Sequence, residues 1–305
     1  MPANATTLLH TWVSGSGSDS NACTFTSPCL TFAGALARTT AGGLTSVKDA
    51  GDFGVPGISQ SVTIDGANLG SVTVPQSDQG GAAIYISGSP ALNVTIRNLT
   101  INGVGLGQWG VDVDAQNANV TVDNCRIENF SADGIFFGLG LSLIVENSRI
   151  ESFGSTGIDI YSTGSNVLLR NTVITEGLYG FSVDQASGSV QSSLQNVTIQ
   201  GATTDAVIVN TGATEITNSV LTQSGVAVLA QSGSTISLAN TAITANQTGV
   251  CSSTGAKVRL DTNDIYDSTT AAIANCGGQV KTSGTNRTSG ATLIPASLVS
   301  NSVLF

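Results

Sequence analysis

The chain has 305 residues, 36 of them glycine, with 10% charged and 5% aromatic side chains, a composition typical of repetitive all-β proteins rather than of helical bundles. Its formal net charge of −10 argues against a nucleic-acid or anionic membrane surface as partner, because both require clustered Lys and Arg. The same charge repels an acidic polysaccharide overall, and no apolar run reaches the roughly 20 residues that cross a bilayer.

The first predicted element is a short capping helix over residues 27–39, SPCLTFAGALART. Ser27 is placed to be its N-cap, Pro28 is its first helical residue, and Leu30 and Phe32 begin an apolar face. Such a helix would close the N-terminal end of a repeat structure, where core residues and strand edges are otherwise exposed.

Five cysteines leave at least one unpaired within the chain. Cys23 and Cys29 flank a short polar loop, and we predict a disulfide between them. Cys251 and Cys276 could join neighbouring coils, but a register difference of about three residues disfavours that pair. Cys125 is typical of a small buried residue. The absence of a CxxC motif and the single histidine argue against a zinc or thiol-redox centre.

A motif of β-forming residues, a variable residue, Asn, two variable residues and Ile, Leu or Val recurs along the chain, as in TVDNCRI and IVENSRI. Its asparagines are 22 to 26 residues apart. Stacked at an inward turn, their amides are predicted to hydrogen-bond one another in a ladder that satisfies buried backbone groups. The asparagines are Asn98, Asn124, Asn147, Asn171, Asn196, Asn218 and Asn240.

Each Asn motif is followed by a second short alternating run, such as GVDVDA, GIFF and GIDIYS. Alternation over four to six residues predicts strands with one buried face. A period of 22 to 26 residues with about three short strands fits a parallel β-helix, in which each period is one coil and equivalent strands lie about 4.8 Å apart. We predict about nine or ten coils.

The N-terminal sequence TWVSGSGSDSNACTFTSPCLTF and the C-terminal GTNRTSG resemble those of a group of largely uncharacterised secreted bacterial proteins. The resemblance rests on the Thr-Trp-Val-Ser-Gly opening, the Asn-x-Cys loop and the Pro-Cys-x-Thr-Phe segment. It implies a right-handed parallel β-helix of the pectate-lyase-like kind. It carries no activity, because the fold hosts lyases, hydrolases, esterases, epimerases, adhesins and tail spikes.

We expect one domain overall, in three segments. Residues 1–60 hold the N-terminal strand, the Cys loop and the capping helix. Residues 61–290 form the β-helix, and residues 291–305 form an apolar tail that caps the last coil or mediates end-to-end self-association.

Outward residues align coil by coil, and the charges concentrate in the coils between residues 97 and 185. The strand after the Asn motif most resembles a sugar platform. The predicted substrate-binding residues are Asp112, Asp114, Phe136, Tyr161 and Tyr179, and the predicted catalytic residues are Asp159, Asp184 and Arg149.

Two chemistries stay open for this platform. Carboxylates one or two coils apart are separated by about 5–10 Å, which covers both retaining and inverting glycosidase geometries. Alternatively, Asp112, Asp159 and Asp184 hold Ca²⁺ while an arginine is the base of a β-elimination. The arginine candidates are Arg126, Arg149 and Arg170.

A structural interpretation competes with both. Asp and Glu on exposed strands commonly keep a sheet soluble and protect its edges. Arg126 with Glu128, and Arg149 with Glu151, are predicted to form surface ion pairs, each worth at most about 1 kcal/mol.

The function that we expect is therefore interaction with an extracellular polysaccharide by a secreted, periplasmic or cell-surface protein, with cleavage by a lyase or glycoside-hydrolase mechanism left open. The alternative is a non-catalytic structural or adhesin β-helix. Under the first hypothesis, catalysis would require two or three carboxylates, or carboxylates and an Arg, to converge in a cleft with perturbed pKa values. Under the second, the flank is flat and the chains stack end to end.

Overall fold

Alternating apolar and polar residues make nearly every element of the chain a strand. The computed structural model describes residues 7–76, 81–88, 91–184, 188–283, 285–290 and 299–301. The chain divides into unit 1, residues 1–149, and unit 2, residues 150–305, which are described separately.

Unit 1 contains one helical turn and fourteen strands among its described residues. The helical turn is α1, Phe32–Leu36. The strands are β1 Leu8–Val13, β2 Thr39–Val47, β3 Gly51–Asp52, β4 Gly57–Ile58, β5 Val62–Asp65, β6 Gly70–Thr73, β7 Ala82–Ile86, β8 Asn93–Arg97, β9 Thr100–Asn102, β10 Trp109–Val113, β11 Asn119–Asp123, β12 Arg126–Phe130, β13 Asp133–Phe137 and β14 Ser142–Glu146.

These strands form three parallel sheets, and each coil contributes one strand to each sheet. The first sheet has the order β1-β2-β5-β8-β11-β14, the second β3-β6-β9-β12 and the third β4-β7-β10-β13. Strands of equivalent coils pair in register, for example Val122 of β11 with Ile96 of β8. Unit 1 is therefore the predicted parallel β-helix.

Unit 2 repeats the same arrangement, and β15 begins on the last residue of unit 1. Its second-sheet strands are β15 Arg149–Phe153, β18 Val173–Thr175, β21 Thr198–Gln200, β24 Val220–Thr222, β27 Ala242–Thr244, β30 Asp264–Ser268 and β33 Arg287–Gly290. Its third-sheet strands are β16 Thr156–Ile160, β19 Tyr179–Val183, β22 Asp205–Val209, β25 Val226–Ala230, β28 Thr248–Ser252 and β31 Ala271–Ala274. Its first-sheet strands are β17 Asn166–Arg170, β20 Gln191–Gln195, β23 Gly212–Thr217, β26 Ser234–Ala239, β29 Lys257–Asp261, β32 Gln279–Thr282 and β34 Val299–Asn301.

Stacked aliphatic and aromatic side chains fill the interior of each unit. In unit 1, Ile96 of the first sheet, Ile127 of the second and Phe137 of the third are fully buried. In unit 2, Leu194, Ile199 and Phe181 occupy the same three sheets and are also fully buried. Each such side chain contributes roughly 1.5–3 kcal/mol by leaving water.

The seven motif asparagines do not point inward as predicted. All seven have positive φ, between 50° and 56°, at the bend between the first and second sheets, and six of them are exposed while Asn98 is half-buried. Asparagine suits this left-handed position because its short amide tolerates it better than most side chains do. Amide-to-amide bonds link Asn124 to Asn98 at 2.7 Å and Asn240 to Asn218 at 2.6 Å. The asparagines are therefore bend residues on the outside of the helix.

Some of the residues that directly follow a left-handed bend residue point inward and hydrogen-bond buried backbone groups. The Ser148 hydroxyl accepts a hydrogen bond from the Cys125 amide of the preceding coil at 3.1 Å. Asn263, which is fully buried, accepts one from the Thr241 amide at 3.0 Å. The left-handed backbone at the bend interrupts the inward–outward alternation of the strand. The polar side chain that points inward is therefore that of the residue after the bend residue and not that of the bend residue itself.

The predicted capping helix over residues 27–39 is not supported. Only α1 is helical, and its N-cap is Thr31, whose hydroxyl accepts from the Gly34 amide at 2.9 Å. Ser27 instead closes a turn by donating its amide to the Thr24 carbonyl. The Asp19 carboxylate accepts hydrogen bonds from the Leu30 and Thr31 amides. These bonds hold the backbone before the helix in an extended conformation. The helix therefore begins after Thr31 and not at Ser27 or Pro28.

The Cys23–Cys29 disulfide is confirmed, and so is the burial of the unpaired Cys125. A Cys251–Cys276 disulfide is also present, with a Cα–Cα distance of 5.7 Å. Cys251 pairs with Ala274, which is two residues before Cys276. A β-bridge between Ser253 and Gly277 then holds the segment after β31 next to the end of β28. The register difference that disfavoured this pair is absorbed by the turn after β31.

The predicted segmentation at residues 60 and 290 stays a prediction, although β1 and β2 already pair within the first sheet. Most of the predicted tail, residues 291–298 and 302–305, lies outside the described residues, and so does its role in self-association. No helix in the described part of the chain has the length and hydropathy that a membrane crossing requires.

Candidate functional site

The third sheet of unit 1 carries a buried carboxyl on its outer side. Asp112 of β10 is in register with Tyr85 of β7 and with Phe136 of β13, so an aromatic ring flanks it on each neighbouring strand. Asp112 is only 6% exposed, whereas Tyr85 is 41% exposed. The Tyr85 hydroxyl donates to Asp114, which directly follows β10, at 3.3 Å.

A second pair of one aromatic and one acidic residue lies at the starts of β10 and β13. Trp109 is in register with Asp133, and its indole nitrogen donates to the Asp133 carboxylate at 3.1 Å. The Trp109 and Phe136 rings are tilted, with centroids 5.9 Å apart. Together these six side chains make up a surface that we call the acidic aromatic face, formed by Tyr85, Trp109, Asp112, Asp114, Asp133 and Phe136.

The electrostatics of this face centre on Asp112. Burial, followed by the charges of Asp114 and Asp133, raises the pKa of Asp112 from 3.8 to about 7. Its Oδ1 atom is buried and has no hydrogen-bond partner among the described residues. A buried polar atom without a partner is rare in folded proteins and often marks a functional position.

The third sheet of unit 2 carries the other predicted platform residues. Asp159 is in register with Ser182, while Tyr161, which is 49% exposed, and Asp184 lie beyond the ends of those two strands. The Asp184 carboxylate accepts a hydrogen bond from the Asn210 amide at 2.8 Å. In the next two coils, Ile208 and Leu229 occupy the position equivalent to Ser182. The outward row of the third sheet therefore changes from polar to apolar along unit 2.

Unit 2 also contains a buried acid that the sequence did not single out. Asp205 of β22 is 3% exposed and in register with Tyr179 of β19. Burial raises the pKa of Asp205 from 3.8 to about 6.

The three arginine candidates lie outside the third sheet. Arg126 begins β12 of the second sheet, and its guanidinium contacts Glu128 at 2.7 Å, which confirms one predicted ion pair. Arg149 begins β15, also in the second sheet, and Arg170 ends β17 of the first sheet. Arg126 and Arg149 line a groove of about 300 Å³ together with four asparagine side chains of unit 1. Arg149 thus belongs to a different sheet from Asp159 and Asp184, and this catalytic set stays a prediction.

Metal binding receives no support from the described residues. Among them, no group of three or more His, Cys, Asp or Glu side chains is placed to hold a metal ion. Asp112 belongs to unit 1 and Asp159 and Asp184 to unit 2, so the calcium set drawn from the sequence combines residues of both units.

Sequence reasoning identified Asp112, Asp114 and Phe136 but missed Trp109, Asp133 and Tyr85. Trp109 precedes the glycine with which the GVDVDA motif begins, and Asp133 precedes the glycine of GIFF. Aligning the residue before each motif glycine would have revealed the Trp109–Asp133 pair.

Comparison with known proteins assigns the fold. The family model described as "Right handed beta helix region" matches residues 57–194 and 186–294. The chain belongs to the right-handed β-helix family. The recurring coil predicted from the sequence is thus this family's repeat.

Solved structures of the same architecture are distant in sequence. The A-module of mannuronan C-5 epimerase AlgE4 from Azotobacter vinelandii is 16% identical with a TM-score of 0.64, over 82% of this chain and 80% of that one. Pectate lyase Pel9A is 15% identical with a TM-score of 0.57, over 97% and 79%. XylC in complex with xylose is 9% identical with a TM-score of 0.64, over 89% and 71%. No curated protein sequence matches the chain significantly.

Proposed function

We propose that this chain is an exported glycan-binding protein and that the acidic aromatic face of unit 1 holds the glycan. The observation that carries the proposal is the arrangement of Trp109, which donates to Asp133 at 3.1 Å and packs 5.9 Å from Phe136. A ring fixed in this way offers a flat apolar surface without the entropy loss of ordering it on binding.

The carboxylates beside the rings supply the polar half of a sugar site. Sugar hydroxyls donate hydrogen bonds, and ionised Asp side chains accept them. Ligand sites typically combine apolar and aromatic surface with a few convergent polar groups, as this face does. Similar solved structures include a mannuronan epimerase, a pectate lyase and a xylose complex, and this adds support for a sugar ligand.

Export is supported by the two disulfides, Cys23–Cys29 and Cys251–Cys276. Disulfides persist in extracellular and periplasmic compartments and are rare where thiols are kept reduced.

Glycoside hydrolysis is the second candidate, and the raised pKa of Asp112 favours it. With a pKa of about 7, this carboxyl holds a proton at neutral pH for about half of the time and can donate it to a glycosidic oxygen as that bond breaks. A water molecule then attacks the anomeric carbon and passes its proton to a neighbouring carboxylate, Asp114 or Asp133.

Calorimetric titration with a panel of soluble oligosaccharides, coupled to a reducing-end assay, tests both candidates. Trp109→Ala is expected to weaken binding of any bound glycan at least about tenfold, since a central aromatic anchor contributes about 2 kcal/mol or more. Tyr266→Ala is the matched control, because Tyr266 lies on the second sheet of unit 2 and should change binding less than twofold. Equal effects of the two substitutions, or no binding to any glycan, would remove the acidic aromatic face from the proposal.

A further inference from the structure

The geometry of the acidic aromatic face points to a particular class of glycan, a polymer of amino sugars with free ammonium groups. We propose that this face selects such a cationic glycan over neutral and acidic ones. The inference rests on the proposed function and adds the charge of the ligand to it.

The first argument is the sign of the local charge. Three carboxyl side chains, Asp112, Asp114 and Asp133, lie on strands of one sheet or directly beside them. The third-sheet strands of unit 1 contain no Lys or Arg, and the sequence has none between Lys48 and Arg97 or between Arg97 and Arg126. A uronic-acid residue on this face would therefore meet like charges, which costs binding energy.

The second argument comes from the rings. Tyr85, Trp109 and Phe136 lie on the same or neighbouring strands as the carboxylates. An ammonium group over the face of such a ring, within about 6 Å of its centroid, is attracted by the ring quadrupole. A neutral sugar gains the stacking contact but not this attraction. An amino sugar bound over a ring gains both, because its C–H surface and its ammonium group both contact the negative face of the π system.

The third argument is the partnerless oxygen of Asp112. Its Oδ1 atom accepts no hydrogen bond from the described residues, although the side chain is more than nine-tenths buried. An ammonium group brings three donors and a full positive charge, and charge-assisted hydrogen bonds are about twice as strong as neutral ones. Movement of the exposed Tyr85 ring, which is in register with Asp112, would open the way to this oxygen.

Binding of a cation also changes the proton count at this face. The groups that face Asp112 are the phenol of Tyr85 from β7, Asp114 directly after β10 and Asp133 from β13. With a pKa of about 7, Asp112 is mostly protonated at pH 6, whereas an amine with a pKa of about 8 is charged. An ammonium ligand favours the ionised carboxylate, so binding at pH 6 should release close to one proton.

The experiment compares four tetrasaccharides by calorimetry at pH 6 with the full chain. They are the β-1,4 tetramers of glucosamine, N-acetylglucosamine and glucose, and a tetramer of galacturonic acid. The glucosamine tetramer is expected to bind at least tenfold more tightly than the other three. Its affinity should fall as NaCl rises from 50 to 500 mM, because salt screens charge pairs.

Two variants separate recognition at this face from general attraction to an acidic protein. Asp112→Asn should weaken binding of the glucosamine tetramer at least tenfold, weaken binding of the glucose tetramer by a smaller factor, and abolish proton release, measured in two buffers of different ionisation enthalpy. Asp267→Asn, an exposed acid at the end of β30 in unit 2, is the matched control and should change none of these.

The outcomes distinguish this inference from the function on which it rests. If all tetramers bind equally and Trp109→Ala weakens them all, glycan binding holds and selection of amino sugars is wrong. If the glucosamine tetramer binds equally to wild type, Asp112→Asn and Trp109→Ala, the attraction is nonspecific and the inference is overturned. If no tetramer binds, both proposals fail.

Discussion

The outward rows of the third sheet differ between unit 1 and unit 2, although the interiors do not. In unit 1, Asp112 lies in register with Tyr85 and Phe136. In unit 2, the corresponding row begins with Asp159 and Ser182 and continues with aliphatic side chains. A solenoid requires only that inward residues pack and strands pair, so its outer residues are free to specialise. In this chain, the outward row that has specialised is the one in unit 1 that forms the acidic aromatic face.

The largest expected effect tests the equivalence of the two interiors. Phe137 of unit 1 and Phe181 of unit 2 are both fully buried on the third sheet. Each change to Ala should lower the free energy of unfolding by about 3–5 kcal/mol, because it removes a large buried ring and leaves a cavity. Denaturant unfolding measures both values. A cost below about 1 kcal/mol at either position would show that the two interiors are not packed alike.

The next effect comes from the disulfides, of which each unit has one. The Cys251–Cys276 bond of unit 2 spans 25 residues and the Cys23–Cys29 bond of unit 1 spans six. Loop-closure entropy then predicts a loss of about 3.5 kcal/mol for the double Ser variant in unit 2 and about 2 kcal/mol in unit 1. Thermal melts of the oxidised proteins give the comparison. A larger loss in unit 1 would mean that local packing, and not loop length, sets the contribution.

A smaller effect depends on pH and compares the two buried acids. The pKa of Asp112 is raised to about 7 and that of Asp205 to about 6, both above 3.8, so the folded chain binds more protons than the unfolded one between those values. Stability therefore falls as the pH rises from about 4 through these values, and it is recovered in acid.

Removing either charge should flatten this dependence. At pH 8, Asp112→Asn is expected to be more stable than wild type by about 2 kcal/mol and Asp205→Asn by about 1 kcal/mol, after allowance for partial solvation. At pH 4 the variants and wild type should be within about 0.5 kcal/mol. Unfolding curves at the two pH values measure this, and an unchanged pH slope in Asp112→Asn would contradict the raised pKa of Asp112.

The smallest effect concerns the surface ion pairs. Arg97 contacts Asp65 at 2.9 Å in unit 1, and Arg287 contacts Asp264 in unit 2 with a more exposed guanidinium. Although burial opposes it, hydrogen bonds from Asn98, the Ala67 amide and Arg97 lower the pKa of Asp65, so this pair stabilises the fold above about pH 4 and is lost in acid.

Arg97→Gln should cost about 0.5 kcal/mol at pH 7, and less in 1 M NaCl. Arg287→Gln should cost less than Arg97→Gln. Urea titrations at two salt concentrations check the order, and a larger loss for Arg287→Gln would reverse this part of the comparison.

The sequence was sufficient to predict the fold because both signals can be read directly along the chain. The alternation of apolar residues marks each strand, and the repeat period marks each coil. It placed Val122 and Ile127 correctly in the interior. It misplaced the asparagines, because a left-handed residue at the bend reverses the expected direction of one side chain, and alternation carries no record of φ.

The candidate site was predictable only in part. Asp112 and Phe136 were found because they occupy equivalent motif positions. Asp133 was missed, since its contact with Trp109 joins the starts of two strands and not the motifs themselves. Burial of an acid such as Asp205 depends on how adjacent coils pack above it, and single-chain periodicity does not report this.

The bend at the asparagines also governs where this chain can accept new sequence. From β8 to β9, and again from β11 to β12 and from β29 to β30, two residues separate the strands, so this corner has one fixed length. The other corners vary: six residues precede β10 where two precede β13. Insertions for grafting a binding loop therefore belong at those variable corners, and the six-residue one leads directly into Trp109. The asparagine corner has a constant length and therefore keeps the coils in register when loops at the other corners are exchanged.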